Sequence, residues 1–292
     1  MRTAVLVLAG MLGGAWGCDG ASGGTDDGTP ADVPVPETVA GCGSDAATPF
    51  SGGMTGRWVQ VQERTALVEM LPSSPVERLT RTWFVVDVTQ AGEAVDATYV
   101  ACAVDVESPE GGTTTTIPPA LITRLGPSTR PAVLSTDGGG WRFTQADHVE
   151  LRGVRDLIDP ANDELPLDPQ DARIFDQDDD GRPGVTVFVD GSGFSLDVYV
   201  AQRIVTALEG TAIADGCFEG TVAWSEDQAI LGGVDDQGQS GGILDALLKR
   251  PGIEPTAEGS RFRMSRAGAD LAAASTADAC AAVLADKARW GW

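Results

Sequence analysis

Eight stretches in which apolar or β-branched residues recur at every second position constrain this chain more than any other feature. They run 57–64, 82–89, 94–106, 148–154, 185–190, 194–208, 216–224 and 260–266. Alternation with a period of two puts one set of side chains on each face of an extended strand, so each stretch predicts a strand with one face inside. Val185, Val187 and Val189 share a face opposite Thr186 and Phe188, and Leu196, Val198 and Val200 alternate with Asp197 and Tyr199. Glycine or proline separates the runs, at Pro72 and Pro75, Gly111-Gly112, Gly138-Gly139-Gly140, Gly191 and Gly193, and Gly232-Gly233. Strands at hairpin spacing predict a mainly β fold, a single antiparallel barrel or sandwich, over residues 50–292. No repeat of propeller or solenoid length is evident.

Two short helices are expected near the C-terminus. Residues 243–248 carry apolar side chains at helical spacing and stop at Pro251. Ser275 stands three residues before Asp278, the spacing of a capping box, and places Cys280 and Leu284 on one face.

The run Asp176-Gln177-Asp178-Asp179-Asp180-Gly181-Arg182-Pro183-Gly184 leads directly into the strand at 185. Alternate carboxylates on a tight turn can converge on one hard cation, and glycine at the sixth position permits the bend that aims them inward. From Asp156 to Asp180 there are ten acids against one base, Arg173. The alternative is a solvated acidic linker. An EF-hand is excluded, because position twelve is Val187 instead of a bidentate Glu. The loop, residues 176–184, resembles the D-x-D-x-D-G turns of thrombospondin type 3 repeats. That resemblance implies a structural Ca2+ held by the carboxylates of Asp176, Asp178 and Asp180 and the backbone carbonyl of Arg182. Asp171, Asp190 or a water would complete the set.

The N-terminus reads as a secretory signal. Arg2 precedes an apolar run from Ala4 to Leu12, too short to span a bilayer, and small residues lead to Cys18. Ala15-Trp16-Gly17-Cys18 resembles the bacterial lipobox, which implies cleavage after residue 17 and a lipid on Cys18. Plain secretion is the alternative. Residues 18–49 contain no Lys or Arg and no apolar periodicity, and read as a disordered acidic tether. The expected location is the bacterial cell envelope, with inner and outer membrane both open.

With Cys18 lipidated, Cys42, Cys102, Cys217 and Cys280 form an even set suited to an oxidising compartment. Of three connectivities, Cys102–Cys217 with Cys42–Cys280 is favoured, because it joins two strands and ties the ends together. The absence of C-x-x-C argues against a zinc ribbon or thioredoxin-type centre. Forty-three acids against 20 bases give a net charge of −23, which disfavours nucleic acid and direct docking on anionic lipid. Membrane attachment would come through the lipid alone.

Gly56-Arg57-Trp58 at the head of the first strand resembles the lipocalin G-x-W signature. The resemblance implies a barrel closed by Trp58 against an arginine of the last strand; Arg261, Arg263 and Arg266 are candidates and Arg263 is the first choice. The family's Thr-Asp-Tyr motif is absent. Gly238-Gln239-Ser240-Gly241-Gly242 fits G-x-S-x-G, yet loop precedes it and the one histidine, His148, lies upstream, so a Ser240 hydrolase is the third-ranked reading. Trp141, Trp224, Trp290 and Trp292 are expected as core or edge aromatics. The sequence therefore describes a lipid-anchored, non-enzymatic envelope protein with a structural calcium, holding a small apolar ligand in a lipocalin-like barrel. Its main alternative is an adhesion or interaction module for an envelope protein, with a filled core.

Overall fold

The computed structural model describes Cys42 and residues 49–290, apart from 73–74, 109–111, 137 and 192. The signal segment, Cys18, nearly all of the tether and Trp292 lie outside the described residues. The chain builds one antiparallel sheet from β1 (Gly56–Glu69), β2 (Val76–Ala91), β3 (Ala94–Glu107), β4 (Thr114–Thr116), β5 (Ser128–Thr136), β6 (Trp141–Arg152), β7 (Val185–Gly191), β8 (Phe194–Ala214), β9 (Cys217–Asp235) and β10 (Gly252–Arg266). Short helices follow: α1 (Pro119–Leu125) between β4 and β5, then α2 (Ala269–Ala273), α3 (Thr276–Ala285) and α4 (Lys287–Trp290) after β10. A 3₁₀ turn occupies Gly242–Ala246 where a helix is expected.

The sheet closes on itself. Its ring order is β1-β2-β3-β5-β6-β8-β9-β10 and back to β1, with every pairing antiparallel. The strands around the ring follow chain order, so local hairpins supply most pairings. Two strands branch. The first half of β3 (Ala94 to Tyr99) pairs with β5, and its end (Asp105, Val106) pairs with β4. The first part of β8 (Phe194 to Val200) pairs with β7 and its later part with β6. Since β4 and β7 pair with each other, they wall one end of the ring as β5 and β6 wall the other. The inner faces pack across as in a sandwich, which satisfies the expected fold class.

No alternating pattern announces β4 or β5. The first is three residues long, and the second carries Pro131, which weakens any strand signal. The other eight strands overlap the expected runs, although β9 and β10 extend well past theirs and β6 begins at Trp141 and ends at Arg152 where 148–154 is expected.

Period two sorts the side chains. Trp58, Phe84, Tyr99, Leu134, Phe143 and Phe218 are buried together inside one end of the ring. Val187, Leu196, Val198 and Ile230 line the other end. Outward-facing Val59, Val61, Trp83 and Val85 are covered by Ala279, Val283 and Trp290 of α3 and α4. The α3 cap forms as expected, with the Asp278 N–H donating to Ser275 Oγ at 3.2 Å. Its packed face, however, is Ala279 and Val283, while Leu284 remains 36% exposed.

The disulfides are Cys42–Cys217 and Cys102–Cys280, with Cα atoms 5.2 Å apart in each. The favoured pairing is therefore corrected. Cys102 lies on β3 and Cys217 on β9, and β2, β1 and β10 intervene between them around the ring. A disulfide needs Cα atoms within about 7 Å, which strands so placed cannot supply. The Cys102–Cys280 bridge instead pins α3 to the sheet, helped by Lys287, whose Nζ lies 2.6 Å from Asp105 Oδ2. Two disulfides belong to an oxidising compartment outside the cytosol. Among the described residues, no helix is long and apolar enough to cross a membrane.

Between β6 and β7 the chain leaves the ring for residues 153–184 and returns. Leu157, Leu165 and Ile174 of this excursion cover the outer face of β8 and β9 at Tyr199, Ala201, Ala229 and Leu231. Its two ends touch: a Cβ on Gly153 would meet Gly184 Cα at 2.6 Å, and one on Gly184 would meet the Val200 carbonyl oxygen at 2.4 Å. Only glycine allows that approach. The acidic segment is thus a packed cover over the sheet.

Candidate functional site

Two groups of polar side chains stand out, one on the excursion and one inside the ring. The first is the aspartate loop. Gly181 takes φ +82° and Asp179 φ +57°, so the chain doubles back tightly before β7. Asp176 accepts from the N–H groups of Asp180 and Gly181 at 3.1 and 2.7 Å, and Asp180 Oδ1 accepts from Arg182 N–H at 2.7 Å. Asp178 Oδ2 accepts from Thr186 N–H at 2.9 Å, and the Thr186 hydroxyl donates to Asp180 Oδ2 at 2.5 Å. These bonds turn the three carboxylates together, with one oxygen of each lying within 4.8 Å of the others. Asp178 is only 8% exposed, and its buried Oδ1 has no hydrogen-bond partner among the described residues. Burial raises its pKa; the Thr186 N–H opposes this, and the charges of Asp180 and Asp176 add to the rise. This trio could hold a metal ion.

The loop's neighbours are differently engaged. Arg182 stacks its guanidinium 5.5 Å from the Tyr199 ring centroid. Asp171 is held by Arg173 at 2.7 Å, and Asp190 Oδ1 accepts from Ser195 at 2.6 Å.

The second group is a polar band across the middle of the ring, which sequence reasoning missed. Inward positions carry Gln60, Gln62 and Arg64 on β1, Arg130 on β5, Glu150 and Arg152 on β6, and Glu226 and Gln228 on β9. Arg78 pairs with Glu226 at 2.8 Å. Arg152 and Arg130 share Glu150, at 2.6 and 3.6 Å. Arg130 also lies 4.3 Å from the Tyr99 ring, and Gln202 donates to Gln228 at 3.1 Å. Burial alone would raise the Glu150 pKa, but Arg152 and Arg130 outweigh it and hold the carboxyl down to about 2. Arg64 packs 5.2 Å from the Trp224 ring centroid, and its buried Nη1 has no partner among the described residues. Burial lowers its pKa to about 10, against the attraction of Glu226.

Above this band a cavity of about 280 Å³ opens in the half of the ring walled by β4 and β7. Val68, Val104, Val106, Val187, Leu196 and Val198 form its sides. Arg64, Arg78, Arg152, Gln202, Glu226 and Gln228 form its floor.

Trp58 is fully buried, donates Nε1–H to the Met54 carbonyl at 2.7 Å, and has a guanidinium over its ring at 4.4 Å. That guanidinium belongs to Arg266, which is in register with Trp58; Arg263 points outward and pairs with Glu219 at 2.5 Å. Phe262 and Met264 occupy the inner face of β10, so parity gives the cation to Arg266. His148 Nε2 bonds to Ser128 Oγ at 3.0 Å, while Ser240 follows an exposed turn closed by Asp235 N–H and the Gln239 carbonyl. Compared with known proteins, the chain matches no family model and no curated protein.

The band sets an acid dependence. Burial, then Arg130, lowers His148 from 6.5 to about 4, so below pH 6.5 the unfolded chain binds a proton that the fold refuses. Glu150, held at about 2 against 4.5, stays ionised where the unfolded carboxyl is protonated. Stability present above pH 6.5 should fall as pH drops toward 4, and fall further between about 4.5 and 2. In urea unfolding followed across pH, His148→Gln should flatten the first segment and Glu150→Gln the second. A stability independent of pH from 6.5 to 4 would contradict the half-buried placement of His148 beside Arg130.

Proposed function

We propose that this protein is a non-enzymatic, lipid-anchored component of the bacterial cell envelope that carries a small, largely apolar ligand inside its β ring. The observation that carries this reading is the cavity of about 280 Å³ between apolar strand faces. Small-molecule sites are mostly concave and apolar, with a few placed polar groups, and span upward from about 300 Å³. This cavity falls just below that range, the scale of a medium-chain aliphatic group. An adhesion module would instead need a filled interior and a contiguous exposed apolar patch. Of the large exposed apolar residues, Ile158 and Leu167 lie on the excursion, Val133 on β5 and Ile213 on β8.

The test is calorimetric titration of medium-chain alcohols into the full mature chain. One molecule should bind per protein, and Val198→Trp or Ile204→Trp, which fill the cavity, should abolish the heat. Failure of the wild type to bind any of them would favour the interaction-module reading.

The aspartate loop in this reading holds a structural Ca2+. One oxygen of each carboxylate lies within 4.8 Å of the others, close enough for all three to reach one cation, and an all-oxygen donor set suits a hard ion such as Ca2+. The unpartnered Asp178 Oδ1 supports the assignment, because a buried carboxylate oxygen demands a cation or a donor. The Arg182 carbonyl would join Asp176, Asp178 and Asp180. Millimolar calcium should raise the melting temperature through linkage, by about 2.7 kcal/mol of stability at a hundredfold excess over Kd. Asp176→Asn, Asp178→Asn and Asp180→Asn together should remove that rise; a rise that persists in the triple variant places the ion elsewhere.

Attachment would run through a lipid on Cys18, with the acidic tether setting the distance from the membrane. Intact mass of the mature protein purified from membranes should show an acylated Cys18 at the N-terminus. An unmodified cysteine, or cleavage elsewhere, would leave simple secretion.

A further inference from the structure

We propose that the cavity takes an amphipathic monocarboxylate, with its carboxylate on Arg64 and its aliphatic tail along the valine and leucine walls toward the open strand ends. This rests on the carrier reading and names the chemistry of its ligand.

The band contains four guanidinium groups, Arg64, Arg78, Arg130 and Arg152, against two carboxylates, Glu150 and Glu226. Glu226 is taken by Arg78 and Glu150 is shared by Arg152 and Arg130. Arg64 is left over. It is 5% exposed, stacked on Trp224, and its Nη1 has no hydrogen-bond partner among the described residues. A buried cation that only shares its counterions is costly, and in a chain of net charge −23 a fixed interior excess of arginine is a local reversal of sign.

Position decides what could neutralise it. Arg64 lies at the floor of the cavity, and the walls above it are Val68, Val104, Val106, Val187, Leu196 and Val198. Met70, Leu71, Val76, Phe194 and Leu247 line the end beyond, where β1, β2, β8 and the 3₁₀ turn finish or begin. The gradient runs from one charged end to a mostly apolar, uncharged one, where Ser108, Thr113 and Thr115 are the polar residues. A planar guanidinium presents paired donors that match the two oxygens of a carboxylate. A free inorganic anion would leave the apolar walls unused, and a neutral lipid would leave the Arg64 Nη1 without a charged acceptor. A carboxylate with a medium-length tail satisfies both.

The experiment titrates octanoate, 1-octanol and acetate into the full mature chain by calorimetry at neutral pH. Octanoate should bind one per protein, roughly ten- to a hundredfold tighter than 1-octanol, the value of hydrogen bonds to a charged group. Acetate should bind far more weakly, lacking the tail. Arg64→Met, checked for folding by circular dichroism, should erase the preference for octanoate while 1-octanol still binds. Val198→Trp should weaken both long ligands and spare the fold. Equal binding of octanol and octanoate, or an unchanged preference in Arg64→Met, would overturn the carboxylate assignment and leave the carrier reading standing. Failure of both to bind the wild type would overturn the two together.

Discussion

Closing antiparallel strands into a ring removes every second side chain from water, whatever its chemistry, and the rest of this structure follows from that constraint. In an open sheet Gln60, Gln62 and Arg64 would face solvent and require no partners. In the ring they share a face with Trp58, and each must find a partner or remain a buried cost. Most do: Gln62 donates to Gln60 at 2.7 Å, Gln60 to Tyr99 at 3.4 Å, and the glutamates gather arginines around them. The band so formed separates a packed aromatic end from an end with space in it.

The outer face solves a different problem, since strands buried on both sides need covers. The C-terminal helices cover β1 and β2, and Cys102–Cys280 ties them down. The acidic excursion covers β8 and β9 and delivers the aspartate loop to the start of β7. Thr186 donates to Asp178 and Asp180 there, and the next inward residue, Val187, lines the cavity. The aspartate loop and the cavity wall therefore belong to one continuous piece of chain. Whatever fixes the loop also fixes the edge of β7.

Much of this was legible from residues and some was hidden for identifiable reasons. Alternation revealed eight strands because Val, Leu and Thr at period two suit a pleated, half-buried chain and little else. It missed β5, where Pro131 interrupts the pattern, and β4, which has too few residues to show a period. The D-x-D-x-D-G spacing pointed to a convergent trio because that geometry is local. Pairings set by the ring were not local: Cys217 meets Cys42 and Cys102 meets Cys280 because strand order separates β3 from β9. The arginine over Trp58 was resolvable by parity, since Arg266 shares a face with Phe262 and Met264 and Arg263 does not. The polar band escaped because Gln-x-Gln-x-Arg on a strand reads as a wet face until closure makes it an interior.

Arg64, a buried guanidinium with no close ion pair of its own and an unpartnered Nη1, is kept for a purpose other than holding the fold together. The thermal midpoint of Arg64→Met in ligand-free protein tests this most directly, because methionine keeps the apolar stem and discards the charge. Relief of a buried, unpaired guanidinium should leave that variant as stable as the wild type or more so. A midpoint lowered by the amount that corresponds to losing several kcal/mol of stability, as in breaking a buried ion pair, would mean that Arg64 is a structural member of the band and not a ligand group at the cavity floor.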